Sequence, residues 1–419
     1  MDMLYMANRW IGLLFAVCFS YQVLYTVVSL CRKSKLYPKG DRHRFAVLIA
    51  ARNEEKVIGH LIESIQAQTY NPDLIDVYVV ADNCTDDTAL AAERHGAIVY
   101  ERYSHLRGKG YALDFLLQII RQERGFNYYD GYFVFDADNL LEPDFIEEMN
   151  RVFSAGYRIV TSYRNSKNYG ANWLTAGYGL WFLHEARYLN KPRMLLSTSC
   201  CISGTGFLMH TDIVQKFGGW PQHLLVEDIQ FTAENILAGE KIGYCESAVL
   251  YDEQPEKFSQ SWAQRMRWVR GHMQITAHYG IKLLCGLFSR KAISCYDFLM
   301  TLFPAMLLSV GSLICTVTRF ILLMMQELYL PAVQLLVGAA LTGYGCMLLI
   351  GLLTLLTEWK QIHTGTVRKI ILLFAFPFFM ATYIPIAMVC LFKKVEWKPI
   401  HHTMAIGLDD ISKAKEKLK

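Results

Sequence analysis

Apolar residues along this chain fall into two regimes. Toward both ends they run on almost without a break, while in the middle they come in short bursts separated by polar loops. The first long run, Trp10 to Leu30, holds 21 residues and no charge. At ~1.5 Å rise per residue such a helix reaches ~30 Å, the thickness of a hydrocarbon core. Runs over Tyr296–Thr318, Val333–Leu356 and Lys369–Phe392 predict three further spans. Between the ends, Phe45–Ala50, Ile75–Val80, Ala97–Glu101 and Tyr132–Phe135 read as short buried strands. The stretches Glu54–Gln68, Thr88–His95 and Lys109–Arg121 between them read as helices, with Asn71-Pro72 and Gly96 as stops. Strands alternating with helices imply right-handed βαβ units and an α/β, Rossmann-like, mostly parallel sheet. Ligands of such sheets bind at the carboxyl ends of the strands. The expected layout is a membrane anchor over 1–35, an α/β domain over 40–257 and an interfacial amphipathic helix over 258–290. A membrane region over 293–393 and a basic tail over 394–419 follow.

Composition sharpens this picture at three points. Hydrophobic residues make up 53% of the chain, above the ~45–50% of soluble domains. Arg32, Lys33, Lys35 and Lys39 follow the first run at once and mark its cytoplasmic side. A cleaved signal peptide is disfavoured, because the run is too long and the charge lies on its far side. Lys360, Arg368 and Lys369 put the loop between the last two runs on the cytoplasmic side as well. The expectation is an integral, multi-pass plasma-membrane protein whose central domain is cytoplasmic. One conflict remains: three crossings after that domain put the lysine-rich tail outside. Either the tail is an exception or one run is re-entrant, and Pro377 and Pro385 make the last run the candidate. The eleven cysteines form no CxxC pair, as in a reducing compartment. A net charge of +4, partly from membrane-flanking lysines, predicts no nucleic-acid partner.

The polar loops carry the candidate chemistry. Ala50-Ala51-Arg52-Asn53-Glu54-Glu55 follows the first strand and sets polar groups, Arg52 and Glu54 among them, at a helix N-terminus. That suits a ribose or phosphate, and equally a capped helix. After the second strand comes Asp82-Asn83-Cys84-Thr85-Asp86-Asp87. Asp86 or Asp87 is placed to cap the next helix, and Asp82, too early for that, to accept from the N–H of a base. Asp136-Ala137-Asp138 ends the fourth strand. Two carboxylates so close repel unless a cation intervenes, which predicts Mg²⁺ or Mn²⁺ bridging to a diphosphate. Lys109 is either a phosphate contact or a solvated surface lysine. Glu227-Asp228 can split in pKa to leave one as a general base, or can cap the helix that follows. On a helix, Phe258, Trp262, Met266, Val269 and Met273 share one face, while Gln264, Arg267, Trp268 and Gly271 share nearly the opposite one. The first face suits a membrane surface; the second offers a sugar-stacking indole and a diphosphate-binding guanidinium. Residues Trp173–Tyr188 give a similar, weaker pattern, either a second interfacial helix or plain core, with His184 a structural residue rather than a ligand.

In this order the motifs Asp82, Asp136-x-Asp138, Glu227-Asp228 and Gln264-x-x-Arg267-Trp268 form a set. Residues Phe45 to Gly271 resemble the inverting family 2 glycosyltransferases of GT-A fold. They are most similar to the membrane synthases of cellulose, chitin, hyaluronan and poly-N-acetylglucosamine. The resemblance implies a processive, metal-dependent β-glycosyltransferase that extends a glycan from UDP-glucose or UDP-N-acetylglucosamine and threads it through its own spans. A non-processive enzyme that glycosylates a membrane lipid carries a similar set and is the alternative. The implied roles follow residue by residue. Asp82 holds the uracil, and Asp138 with Asp136 binds the metal. Asp228, with Glu227 beside it, supplies the base. Arg267 steadies the departing UDP, and Trp268 stacks on the acceptor sugar. Gly204-Thr205-Gly206 lies by the acceptor. Many relatives carry Pro at the position of Ala50 and a second Asp at that of Ala81. Regulation by a cyclic dinucleotide is expected to need a partner protein.

Overall fold

A computed structural model describes residues 2–302, 304–395 and 404–416. Among the described residues the strands form one eight-stranded sheet. The strands are β1 (Phe45–Ala51), β2 (Ile75–Asp82), β3 (Ile98–Arg102), β4 (Gly131–Asp136), β5 (Leu140–Leu141), β6 (Ile159–Ser166), β7 (Phe207–His210) and β8 (Ile242–Asp252). Their order is β3-β2-β1-β4-β7-β6-β8-β5. The four strands anticipated from sequence form the parallel half. The other half is mixed: β7 runs antiparallel to β4 and β6, β5 runs antiparallel to β8, and β6 and β8 are parallel.

The parallel half has continuous apolar strands because helices cover both of its faces. Residues Ala46, Leu48 and Val80 face a core shared with helix Lys109–Arg124. Their alternating neighbours Phe45, Val47, Ile49 and Phe135 face helices Ile58–Gln66 and Phe145–Ser154. The first helix begins at Ile58 rather than Glu54. Asn53 adopts a left-handed φ of 57°, and Glu54 donates its N–H to Thr88 Oγ1 at 2.8 Å. That tie holds the strand-end loop open toward the next one.

Among the described residues, four stretches are long and apolar enough to cross a membrane: Met3–Cys31, Pro304–Met325, Tyr329–Thr357 and Thr366–Phe392. The span expected over Tyr296–Thr318 falls on two described helical segments, Ala292–Leu302 and Pro304–Met325, of which the second is long and apolar enough to cross a membrane. Asp297 lies in the first, and its charge needs a partner. Arg193 binds it in bidentate fashion, Nε and Nη2 each at 2.7 Å, and Tyr25 donates to it at 2.8 Å.

The last apolar stretch is broken into Thr366–Leu373, Phe376–Ala381 and Tyr383–Phe392. It lies along helix Phe258–Gly286. Arg265 donates to Phe379 O and to Thr382 Oγ1, and Met266 and Val269 pack on Ile386, Ala387 and Cys390. The apolar face of that helix, expected to lie on lipid, is thus largely covered by protein. Before this stretch, Gln361 O accepts from Asn165 Nδ2, and Arg368 at its first turn donates to Ala171 O. Beyond it, Ile411 is buried against Leu140 and Tyr251. Both flanks touch the sheet domain. Residues 396–403 and 417–419 of the tail lie outside the described residues.

Candidate active site

The carboxyl ends of β1, β2, β4 and β8 open into one cleft, closed on the far side by helices Glu227–Ala238 and Phe258–Gly286. Ala50, Arg52, Glu54, Asp82, Lys109, Asp136, Asp138, Gly204, Glu227, Asp228, Gln264, Arg267 and Trp268 all line it. Of the Gly204-Thr205-Gly206 stretch only Gly204 lines the cleft, and Thr205 stands behind the wall. It is 3% exposed, and its hydroxyl accepts from Asp136 N–H at 2.9 Å, holding the strand-end turn rather than facing an acceptor.

The first two loops are stitched together. Asn53 Oδ1 accepts from Thr85 N–H at 2.8 Å, and Asp86 Oδ1 accepts from Thr88 N–H at 3.2 Å. Asp86 is therefore the helix-start acceptor, and Asp82 is left to the cleft. Asp82 is buried and paired with Arg102 Nη1 at 2.5 Å. Arg102, at the end of β3, had no motif to reveal it.

At the end of β4, Lys109 Nζ donates to Asp136 Oδ1 at 2.5 Å and to Gly204 O at 2.8 Å. Lys109 is therefore a site residue and not a solvated surface lysine. Asp138 Oδ2 accepts from Glu253 N–H at 2.9 Å. A third carboxylate, Asp252, ends β8 and accepts from Arg164 Nε at 2.7 Å. Burial lifts its carboxyl to about 6 even against the Arg164 guanidinium, and Asp138 and Asp136 add to the rise. Sequence reading missed Arg164, Asp252 and Glu253, although Asp252 does follow an apolar strand. Among the described residues no three metal-ligating side chains are already gathered. The donor chemistry nonetheless suits a hard divalent ion. Asp136 and Asp138 offer carboxylate oxygens, and the mutual repulsion that raises Asp252 is what a cation relieves.

On the opposite wall, Asp228 Oδ2 accepts from Gly204 N–H at 2.6 Å. That proton comes from a loop 24 residues away, so the pair does more than cap its own helix. Burial, then the Asp228 charge, pushes the Glu227 carboxyl up to about 7 against the pull of Lys109 and Arg267. Arg267 donates to Leu225 O at 3.0 Å, tying the helix to the loop before Glu227. Gly271 makes that approach possible: a Cβ there meets Val226 side-chain atoms at 2.5 to 3.0 Å. Gln264 Oε1 is buried without a partner at the rim. The Trp268 indole stands edge-on to Tyr178 and Phe182, with ring centroids 5.7 and 6.4 Å away. His184 donates to or accepts from Thr354 Oγ1 at 3.1 Å, away from the cleft, as a structural residue does.

A cleft at the carboxyl edge of a Rossmann-like sheet, with paired acids on one wall and a basic, aromatic helix on the other, defines a glycosyltransferase of GT-A fold. Residues 43–271 match the family model described as glycosyltransferase like family 2, and the chain belongs to that family. One curated relative is a probable glycosyltransferase, YdaM, of Bacillus subtilis, 26% identical over 59% of this chain and 59% of its own length. Another is a beta-monoglucosyldiacylglycerol synthase of Synechocystis sp., 25% identical over 54% of this chain and 47% of that protein. A third is the poly-beta-1,6-N-acetyl-D-glucosamine synthase of Staphylococcus aureus (strain COL), 22% identical over 54% of each. The chain thus spans about half to three-fifths of the length of these relatives. Among solved structures, a mannosyltransferase, PcManGT, from Pyrobaculum calidifontis in complex with GDP-Man and Mn²⁺ superposes with a TM-score of 0.57. It is 16% identical and covers 90% of this chain and 99% of that one, a likeness of fold.

Proposed function

We propose that this chain transfers a hexose from a UDP-sugar, with inversion, to a hydroxyl of a membrane-resident acceptor on the cytoplasmic face. The observation that carries this reading is the convergence of Asp82, Asp136, Asp138, Asp228, Arg267 and Trp268 on one cleft beside the membrane helices. Asp82, oriented by Arg102, accepts from the base N–H. Lys109 and Arg267 face the diphosphate, and Asp136 and Asp138 would hold an Mg²⁺ or Mn²⁺ that neutralises it. Asp228 takes the proton of the acceptor hydroxyl as its oxygen attacks the anomeric carbon. The bond to the diphosphate breaks, and UDP leaves with the electron pair beside Arg267. Trp268 offers its indole face to the acceptor.

The polymer reading came first from sequence, and the helices favour the lipid reading instead. Helices that ring a sugar-wide passage must be flanked on both sides. Here the most apolar windows of Met3–Cys31, Pro304–Met325 and Tyr329–Thr357 are only 11%, 11% and 6% buried. A lipid acceptor reaches the cleft from the bilayer surface without a passage. The polymer reading keeps one support, Trp268 beside Asp228, where a growing sugar end could stack. The test is incubation of the purified full chain with labelled UDP-sugars and GDP-mannose, with and without diacylglycerol vesicles. A labelled single-sugar lipid is the expected product. A vesicle-independent polymer reverses the order of the two readings, and transfer from GDP-mannose alone overturns the donor.

A further inference from the structure

The loop that crosses the floor of the cleft, residues 203–206, is tied at almost every polar group to the machinery around it. Ser203 Oγ donates to Glu185 Oε1 at 2.7 Å, and Ser203 O accepts from Arg164 Nη1 at 2.9 Å. Gly204 donates its N–H to Asp228 Oδ2 at 2.6 Å and accepts from Lys109 Nζ at 2.8 Å. Thr205 Oγ1 accepts from Asp136 N–H, and Gly206 N–H donates to Val134 O, both at 2.9 Å. Gly204 and Gly206 have φ of 81° and 68°, a left-handed path that a side chain would strain. The loop is a strap between the strand-end acids and the Glu227-Asp228 wall.

Arg164, Lys109, Asp136 and Asp228 line the cleft, and Glu185 does not. Glu185 reaches the strap from behind. It is the first residue of a π-helical stretch, Glu185–Asn190, that continues helix Trp173–His184. Such wide turns are rare and gather at functional sites. Burial pushes the Glu185 carboxyl up, against the pull of the Ser203 hydroxyl, Arg193 and Arg164. A half-buried carboxylate costs free energy unless its hydrogen bonds compensate it. The Glu185 carboxylate accepts from Ser203 Oγ, one residue from the N–H that Asp228 accepts.

We propose that Glu185 is a positioning residue for transfer: by holding the Ser203 hydroxyl it sets the strap that presents Gly204 N–H to Asp228. The inference rests on Asp228 being the base. Displacing a base by a fraction of an ångström slows the chemical step without touching the bound donor, and a misplacement near 1 Å costs about 10²-fold.

The test uses the full chain in membrane vesicles, with UDP binding and transfer rates measured on each variant and Asp228→Asn as the control. Glu185→Ala should lower kcat by about 10–10²-fold with the UDP Kd within about twofold. Ser203→Ala, a small change that leaves the fold intact, should give a similar loss. The double variant should be no worse than the single ones, because both cut the same tie. Glu185→Gln keeps an oxygen for Ser203 and should recover most of the rate. Normal kcat in Glu185→Ala, additive losses, or a raised acceptor KM at unchanged kcat each overturn the proposal, the last in favour of direct acceptor contact. If the wild type transfers and Asp228→Asn does not, the glycosyltransferase reading stands whichever way Glu185 falls. If Asp228→Asn transfers normally, the base assignment fails and the proposal fails with it.

Discussion

On the side of the cleft proposed to hold the donor, Arg52, Asp82, Asp136 and Asp138 each stand within two residues of the end of a parallel strand. The hydrogen bonds there run between neighbouring loops of one βαβ half, such as Asn53 to Thr85 and Glu54 to Thr88. The side proposed to hold the acceptor is assembled differently. Asp228, in the first turn of a helix, meets Gly204 in the loop before β7. Trp268 meets Tyr178 and Phe182 of a different helix. The helix that carries Trp268 is braced by Arg265 against residues 117 positions later. A donor site built from strand ends is rigid and local. A wall built from long-range contacts can be reshaped by changes in the apolar segments that brace it.

The comparison can be broken in several ways. Chelation should have the largest effect: EDTA should abolish transfer, and Mn²⁺ or Mg²⁺ should restore it. Full activity in excess chelator removes the metal from the donor side. Asp228→Asn follows. It should still bind UDP-sugar and lose transfer by roughly 10²–10⁴-fold, the range of general-base catalysis. Loss of donor binding as well would mean that the two halves are one.

Further from the chemistry, Asp297→Ala leaves Arg193 charged and buried, both partners being 2% exposed in the intact pair. Chemical or thermal unfolding should register a loss of about 3–5 kcal/mol, with the anchor Met3–Cys31 loosened from the sheet domain. A variant as stable as the wild type would show that the acceptor half does not lean on its membrane helices.

Glu227 gives a pH signature. Its folded carboxyl sits at about 7 against an ordinary 4.5. The folded chain therefore keeps a proton that the unfolded chain has lost, so stability falls as pH rises from about 4.5 to about 7. Glu227→Gln should flatten part of that slope in thermal melts, and Asp252, raised in the same window, accounts for some of the rest. The smallest effect belongs to the tail. Lys415 pairs with Glu142 at the surface, and Lys415→Ala should cost only ~0.2–1 kcal/mol.

The sequence by itself determined the parallel half-sheet, its four apolar strands and the loops after them, because burial on both faces and strand-end chemistry are written in adjacent residues. It also set the candidate acids and the opposed faces of the Gln264–Trp268 helix, because helical period is local. Only the tertiary structure decided which groups answer those acids. Arg102, Arg164 and Asp252 sit in no motif and matter because the fold brings them to Asp82, Ser203 and Asp138. The same holds for the partners of Asp297 and for the packing of the last apolar segment on helix Phe258–Gly286. Hydropathy measures whether a stretch can enter a bilayer, not what its flanks bind. Here both flanks of Thr366–Phe392 find the sheet domain.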